Sequence, residues 1–348
     1  MFFIAAATLS FFNYGCGKRR PPVPPATNLR FNQNGFTVVQ QGNRIALSIP
    51  LRNNATDGPR RIDVFRLAES VNSPQFLTEE EFASRSTQVG SIQLPDTRTE
   101  NEVVFFDVIT PTAQPRRLRY AIRFVNRENQ RSGFSNFVFF EPISNAAKPP
   151  LLGEPIVSQT SINLRWEAPT ENLDESEPVN VIGYNVYRKS KNADKPSRLN
   201  SSLLPSSDFE DKNFKFGENY EYFVRAVSAG ANGVPVESND SNITKITPLD
   251  LFPPSPPVGL TIAAAPGNLS IFFAANSEPD VIGYNIFRTT MPETPREKWQ
   301  KLNETPFAAT SYQDTKIESG QRYYYYVTAV DSAGNASKPS EIVSESVP

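Results

Sequence analysis

Apolar side chains fall at every second position through Ile162, Leu164 and Trp166, and the same alternation recurs at Leu269, Ile271 and Phe273. A period of two is that of a half-buried strand, so both stretches predict one. The segment VIGYNVYR at residues 181–188 returns as VIGYNIFR at residues 281–288, an offset of one hundred. Around it the match continues. Arg198-Leu199-Asn200 answers Lys301-Leu302-Asn303, and the aromatic-x-Asp pair of Phe209 and Asp211 answers Tyr312 and Asp314. Tyr220, Tyr222, Val224 and Ala226 then answer Tyr323, Tyr325, Val327 and Ala329. Self-similarity over so long a period marks two copies of one all-β unit.

Upstream the alternation is less regular. Ile45, Leu47 and Ile49 predict one strand, and Ile62 and Val64 another within RIDVFR at residues 61–66, a degenerate counterpart of the repeated segment. Residues 103–108 and 118–125 predict two more, being rich in β-branched and aromatic side chains. The connection over residues 67–99 is longer than its equivalents, and in it Thr78-Glu79-Glu80-Glu81 ahead of Phe82 reads as a capping box before a short helix. The chain divides into a signal segment (1–15), a Pro-rich stalk (16–25) and three sandwiches (26–146, 147–249 and 250–348), the first atypical. Proline clusters at both joints limit bending, so a semi-rigid string of independent beads is expected.

Composition narrows the chemistry. With 35 basic against 37 acidic side chains, dispersed along the chain, nucleic acid is not an expected partner. The absence of His removes the commonest general base and the commonest zinc ligand together. No Gly-x-Ser-x-Gly elbow, phosphate loop, dinucleotide fingerprint or metal-ligand spacing occurs, so no catalytic residue, metal or cofactor is expected. A hydrolase built on two carboxylates among Glu79, Glu80, Glu81 and Asp96 would require a cleft between them. The acidic loop at residues 171–178 lacks the spacing of a calcium cage and reads as a solvated loop.

The single Cys cannot form an internal disulfide. It stands at Cys16, just behind the apolar run MFFIAAATLSFF, which is too short to span a bilayer as a helix but suits a signal-peptide core. With Gly15 before it, Cys16 resembles the lipobox cysteine of bacterial lipoproteins. The resemblance implies acyl chains on Cys16 as the membrane partner and a cell-envelope location, with the outer membrane favoured because Gly17 rather than Asp follows. The residues alone also admit a leader cut elsewhere, or a short anchor whose Lys18, Arg19 and Arg20 keep the chain in the cytoplasm.

Trp166, the Gly-Tyr-x-Val/Ile-Tyr/Phe-Arg segments, the aromatic-x-Asp pairs and the Tyr-x-Tyr-x-Val-x-Ala runs resemble the fibronectin type III domain, an immunoglobulin-like sandwich that needs no disulfide. The resemblance places Trp166 in the core and Tyr220 and Tyr323 at the tyrosine corner, with their hydroxyls bonded to nearby backbone. In the first unit Leu118 stands at the corner and Ile49 in the Trp position. If Tyr220 and Tyr222 point inward, Phe223, Arg225 and Tyr187 point out. In the third unit Phe287, Tyr324, Tyr326 and Thr328 share the outer face, a candidate platform for a protein or polysaccharide ligand. The same rings also read as cross-strand pairs that stabilise the sheet. The functional expectation is a lipid-anchored adhesion or scaffold protein, and the alternative is a passive spacer.

Overall fold

The computed structural model describes residues 35–51, 59–95, 101–110 and 116–348. The expectations for the leader, Cys16, the stalk and Asp96 lie outside the described residues. In chain order the first sandwich comprises β1 (Thr37–Gln41), β2 (Arg44–Pro50), β3 (Arg61–Ser70), α1 (Glu79–Arg85), β4 (Thr87–Gln93), β5 (Glu102–Val108), β6 (Arg116–Val125) and β7 (Val138–Phe140). Its sheets run β1-β2-β5 and β4-β3-β6-β7. Ile45, Leu47 and Ile49 face Ile62, Val64 and Tyr120 in one core. The capping box is formed, with Thr78 accepting from the Glu81 amide and the Glu81 carboxylate returning to the Thr78 amide.

The second sandwich follows with β8 (Leu151–Leu152), β9 (Ile156–Val157), β10 (Ile162–Glu167), β11 (Gly183–Ser190), β12 (Ser197–Arg198), β13 (Asp208–Asp211), β14 (Tyr220–Ser228), β15 (Val236–Glu237) and β16 (Thr244–Ile246). The third has β17 (Thr261–Ala265), β18 (Asn268–Phe272), β19 (Val281–Thr289), β20 (Gln300–Lys301), β21 (Ser311–Asp314), β22 (Arg322–Asp331) and β23 (Val343–Ser346). Each has a core of its own, around Trp166 and Tyr184 in one and Phe273 and Tyr284 in the other.

The repeated residues form repeated contacts. Arg188 and the Tyr222 hydroxyl both donate to buried Asp211, at 2.6 and 2.7 Å. Arg288 and Tyr325 meet Asp314 in the same way at 2.7 and 2.8 Å. Arg66 and Tyr120 meet Asp107 at 2.7 and 2.6 Å, so the irregular first unit carries the motif too. Each triad ties one sheet to the other across the core, and losing its arginine would leave a buried carboxylate without its counter-charge. The paired Asn residues hold the strand they face: Asn200 accepts from the Val186 amide and Asn303 from the Ile286 amide, both at 2.8 Å.

Glycine of the repeated segment is required by close approach. A Cβ on Gly183 would lie 2.9 Å from the Leu204 carbonyl oxygen, and one on Gly283 would lie 3.0 Å from Pro306. A Ser-x-x-Ser step recurs opposite the long strand of every unit. Ser238 and Ser241 accept from the Ala226 and Val224 amides at 3.0 Å, Ser337 and Ser340 from Ala329 and Val327 at 2.9 Å, and Ser132 and Ser135 from Phe124 and Ile122 at 3.0 Å. These hydroxyls satisfy strand amides where no regular ladder runs alongside.

The first two sandwiches are not independent beads. The β1–β2 turn meets the second unit, where Gln41 pairs in parallel with Glu237 of β15, so one sheet continues across the joint. Gly42 donates to the Glu237 carbonyl at 2.7 Å. Its φ of +55° favours glycine, and a Cβ there would lie 2.7 Å from Asn239. Proline content could not reveal this joint, because it is made by a turn about a hundred residues before the linker it stiffens.

Candidate ligand-binding surface

Strands β11 and β14 turn Tyr187, Phe223 and Arg225 outward, and β19 and β22 do the same with Phe287, Tyr326 and Tyr324. Phe287 stacks on Tyr326 with centroids 4.6 Å apart, and Tyr324 stands two residues along the strand. The expected open platform is nevertheless closed: Tyr326 is only 4% exposed and Thr328 is buried. The cause is the excursion between β19 and β20. It carries a 3-10 turn at Arg296–Lys298 and lays buried Trp299 against Tyr326 at 5.0 Å, with the Tyr326 hydroxyl donating to the Arg296 carbonyl at 3.2 Å. Burial raises the Tyr326 pKa accordingly. Phe287 and Tyr324 remain half-exposed beside this cap.

The first sandwich covers the same face differently. Phe82 of α1 packs with Phe134, Phe137 and Phe65 over the outer side of β3 and β6. Beside them buried Arg117 and Arg119 both reach Glu69, at 2.7 and 2.9 Å, and bind the Ser73, Pro74 and Gln75 carbonyls of the connecting loop. Two of the carboxylates considered for hydrolysis, Glu79 and Glu81, are engaged locally. Glu79 meets Arg123 and the Phe134 amide, and Glu81 closes the capping box.

In the second sandwich the cover is partial. Tyr187 and Phe223 stack at 5.0 Å under the Arg225 guanidinium, which is held by Glu237 at 2.7 Å and Asp240 at 2.6 Å. Tyr187 donates to Glu237 at 2.6 Å; the Tyr187 hydroxyl and the Arg225 guanidinium together keep that half-buried carboxylate below the usual range despite desolvation. The turn of the first sandwich docks at this end. The other end is open, and forms a cleft of about 410 Å³ lined by Lys189, Lys191, Asn219, Tyr220, Glu221, Lys245, Ile246 and Thr247.

The Trp166 ring lies edge-on to Tyr184 at 5.3 Å, and its indole N–H is buried without a partner. The Tyr220 hydroxyl accepts from the Lys215 amide at 3.0 Å, and that of Tyr323 from the Glu318 amide at 3.1 Å. Leu118 and Ile49 are buried in the first core. The loop at residues 171–178 is organised by Asn172, whose amide nitrogen donates to the Ser176 and Pro178 carbonyls at 2.7 and 3.0 Å.

One group escaped the reading of the sequence. Asp250, Asp280 and Asp331 bring carboxylate oxygens within 4.8 Å of one another where the second and third sandwiches meet. Such a set suits a hard cation. Asn335 already binds both oxygens of Asp331, at 2.8 and 2.9 Å, and also donates to the Asp250 carbonyl at 3.1 Å. The three residues are far apart in sequence, and no local spacing links them.

No family model matches the sequence. Among curated proteins the chain is 26% identical over 195 residues to exoglucanase B of Cellulomonas fimi, covering 54% of this chain and 15% of the enzyme. It is 25% identical over 186 residues to the M-protein of striated muscle from Gallus gallus, covering 52% of this chain and 12% of that protein. The chain thus spans a small fraction of the length of these relatives. Among solved structures it is similar to the FN1–FN3 domains of chicken CNTN1, at 16% identity and a TM-score of 0.28 over 90% of this chain and 98% of that one. It is also similar to a Fn3-like protein from Clostridium thermocellum, at 26% identity and a TM-score of 0.24 over 28% of this chain and 96% of that one. By its own strand order and its repeated buried contacts, the chain is an all-β array of tandem two-sheet sandwiches.

Proposed function

We propose that this chain is a lipid-anchored protein of the bacterial cell envelope that holds out tandem fibronectin type III-like sandwiches to a polysaccharide or protein ligand, without catalysis of its own. One observation carries the reading. The three units keep the same buried Arg-Asp-Tyr triad and differ in what lies over the outer face. A shared buried support under differing outer faces is what ligand display requires. The likeness of about half the chain to part of an exoglucanase favours a polysaccharide. Acylation of Cys16 would supply the anchor, and mass spectrometry of the mature N-terminal peptide tests it: an unmodified Cys16 in an intact leader removes the envelope reading.

The joint between the first two sandwiches favours the second reading, a spacer, because a sheet continued across a linker makes a stiff rod. Deleting residues 147–249 in the producing cell separates the two. A display protein then behaves like the whole-chain deletion, whereas a spacer shortened by one unit still complements it.

A further inference from the structure

We infer that the open cleft of the second sandwich binds an anionic polysaccharide, of which a polyuronate is the simplest form; this rests on the display reading and names its ligand class. Lys189 of β11, Glu221 of β14 and Lys245 of β16 share one cross-strand rung. Lys245 pairs with Glu221 at 2.8 Å, while Lys189 and Lys191 have no ion pair among the described residues. Three lysines against one carboxylate leave two positive charges in excess, in a chain whose net charge is −2. Arg225, by contrast, is matched by Glu237 and Asp240, and Arg188 by Asp211.

The lysines are not a requirement of the fold. At the same register positions the third sandwich carries Thr289, Met291 and Ser344. In the first sandwich Leu67 and Glu69 take the places of Lys189 and Lys191, and Glu69 is consumed by Arg117 and Arg119. Two of three sandwiches therefore form without lysines at these positions.

Its lining has three parts. The aliphatic stems of the lysines give apolar surface, Asn219 and Thr247, bonded to each other, give neutral polar groups, and the ammonium groups give charge. A uronate ring, with a C–H face, hydroxyls and a carboxylate, matches all three at once. An acidic peptide offers the charge without a ring bearing hydroxyls. The volume of about 410 Å³ is within the ~300–1,000 Å³ range of ligand clefts and leaves room for a short run of rings.

The test is retention of the full chain on immobilised polygalacturonate, dextran and poly-aspartate. Wild type should be held by polygalacturonate and released by added salt. The double variant Lys189→Thr with Lys245→Ser, which installs the third sandwich's residues, should bind roughly tenfold more weakly (about 1.4 kcal/mol). Lys301→Thr in the third sandwich should change nothing, and circular dichroism should show all three proteins equally folded. Undiminished retention of the double variant overturns the inference. So does equal retention on dextran or on poly-aspartate, and so does no retention on polygalacturonate. None of these outcomes touches the display reading, which fails separately if the chain lacking residues 147–249 complements the deletion.

Discussion

The second and third sandwiches share a buried interior and differ on the outside. In both, an arginine, an aspartate and a tyrosine join the two sheets, an asparagine caps the repeated strand, and two serines serve the long strand. Over that interior the third sandwich closes its outer aromatic pair with Trp299. The second covers Tyr187 and Phe223 with Arg225 and the docked turn of the first unit, and leaves the lysine rung open. The difference teaches that the inherited residues make the scaffold and the connecting loops decide whether a sheet face is surface or interior.

The largest effect should come from breaking what is shared. Arg188→Met strands buried Asp211 beside only the Tyr222 hydroxyl and a backbone amide, and should cost about 3–5 kcal/mol. Arg288→Met should cost a similar amount in the third sandwich, and chemical denaturation of each variant measures both. If either variant unfolds like wild type, the triad is not a common support.

Breaking the difference is the next step. Trp299→Ala removes the cap from Tyr326 and should destabilise the third sandwich by about 2–3 kcal/mol, less than for a central core residue because the cap lies at the edge of the unit. It should also expose the Phe287–Tyr326 pair, read as increased tyrosine accessibility to a quencher. Unchanged accessibility would mean that the excursion covers the pair without Trp299.

High pH sharpens the shared part. Burial and the Asp211 carboxylate push the Tyr222 hydroxyl well above its ordinary value, and Tyr120 and Tyr325 are raised in the same way. The unfolded chain releases this proton near pH 10 and the folded one retains it. Stability is therefore whole below pH 10 and declines above it, by about 1.4 kcal/mol per buried tyrosine at pH 11. Tyr222→Phe should flatten that decline in the second sandwich, as followed by denaturation at pH 8 and pH 11.

The smallest effect should come from Trp166→Phe, which copies Phe273 of the third unit. It loses ring area but also removes an indole N–H that is buried without a partner, so the change should stay within about 1 kcal/mol. A loss above that would show that the indole packs in a way its neighbour's phenyl does not.

How much of this was legible in the residues varies by distance. The strands, the capping box at Thr78 and the inward set of Tyr220, Tyr222 and Val224 follow from periods read over a few positions. The Ser-x-x-Ser step repeats in all three units, but a single polar pair without a sustained apolar period gives no element signal. Arg66, Asp107 and Tyr120 of the first unit lie in looser surroundings, and their kinship with the other triads becomes plain only when the three side chains converge.

The outer face marks the limit. Alternation assigned Phe287, Tyr324 and Tyr326 to one side of a sheet, which is where they are, and said nothing of Trp299, which covers that side from another loop. What the residues alone determined is the succession of two-faced strands and their repetition, because a strand's inside and outside are written in neighbouring positions. What only tertiary structure decided is which outside stays in contact with water: a cap, a docked turn or an open lysine rung depends on segments far along the chain, and no local pattern encodes where they come to rest.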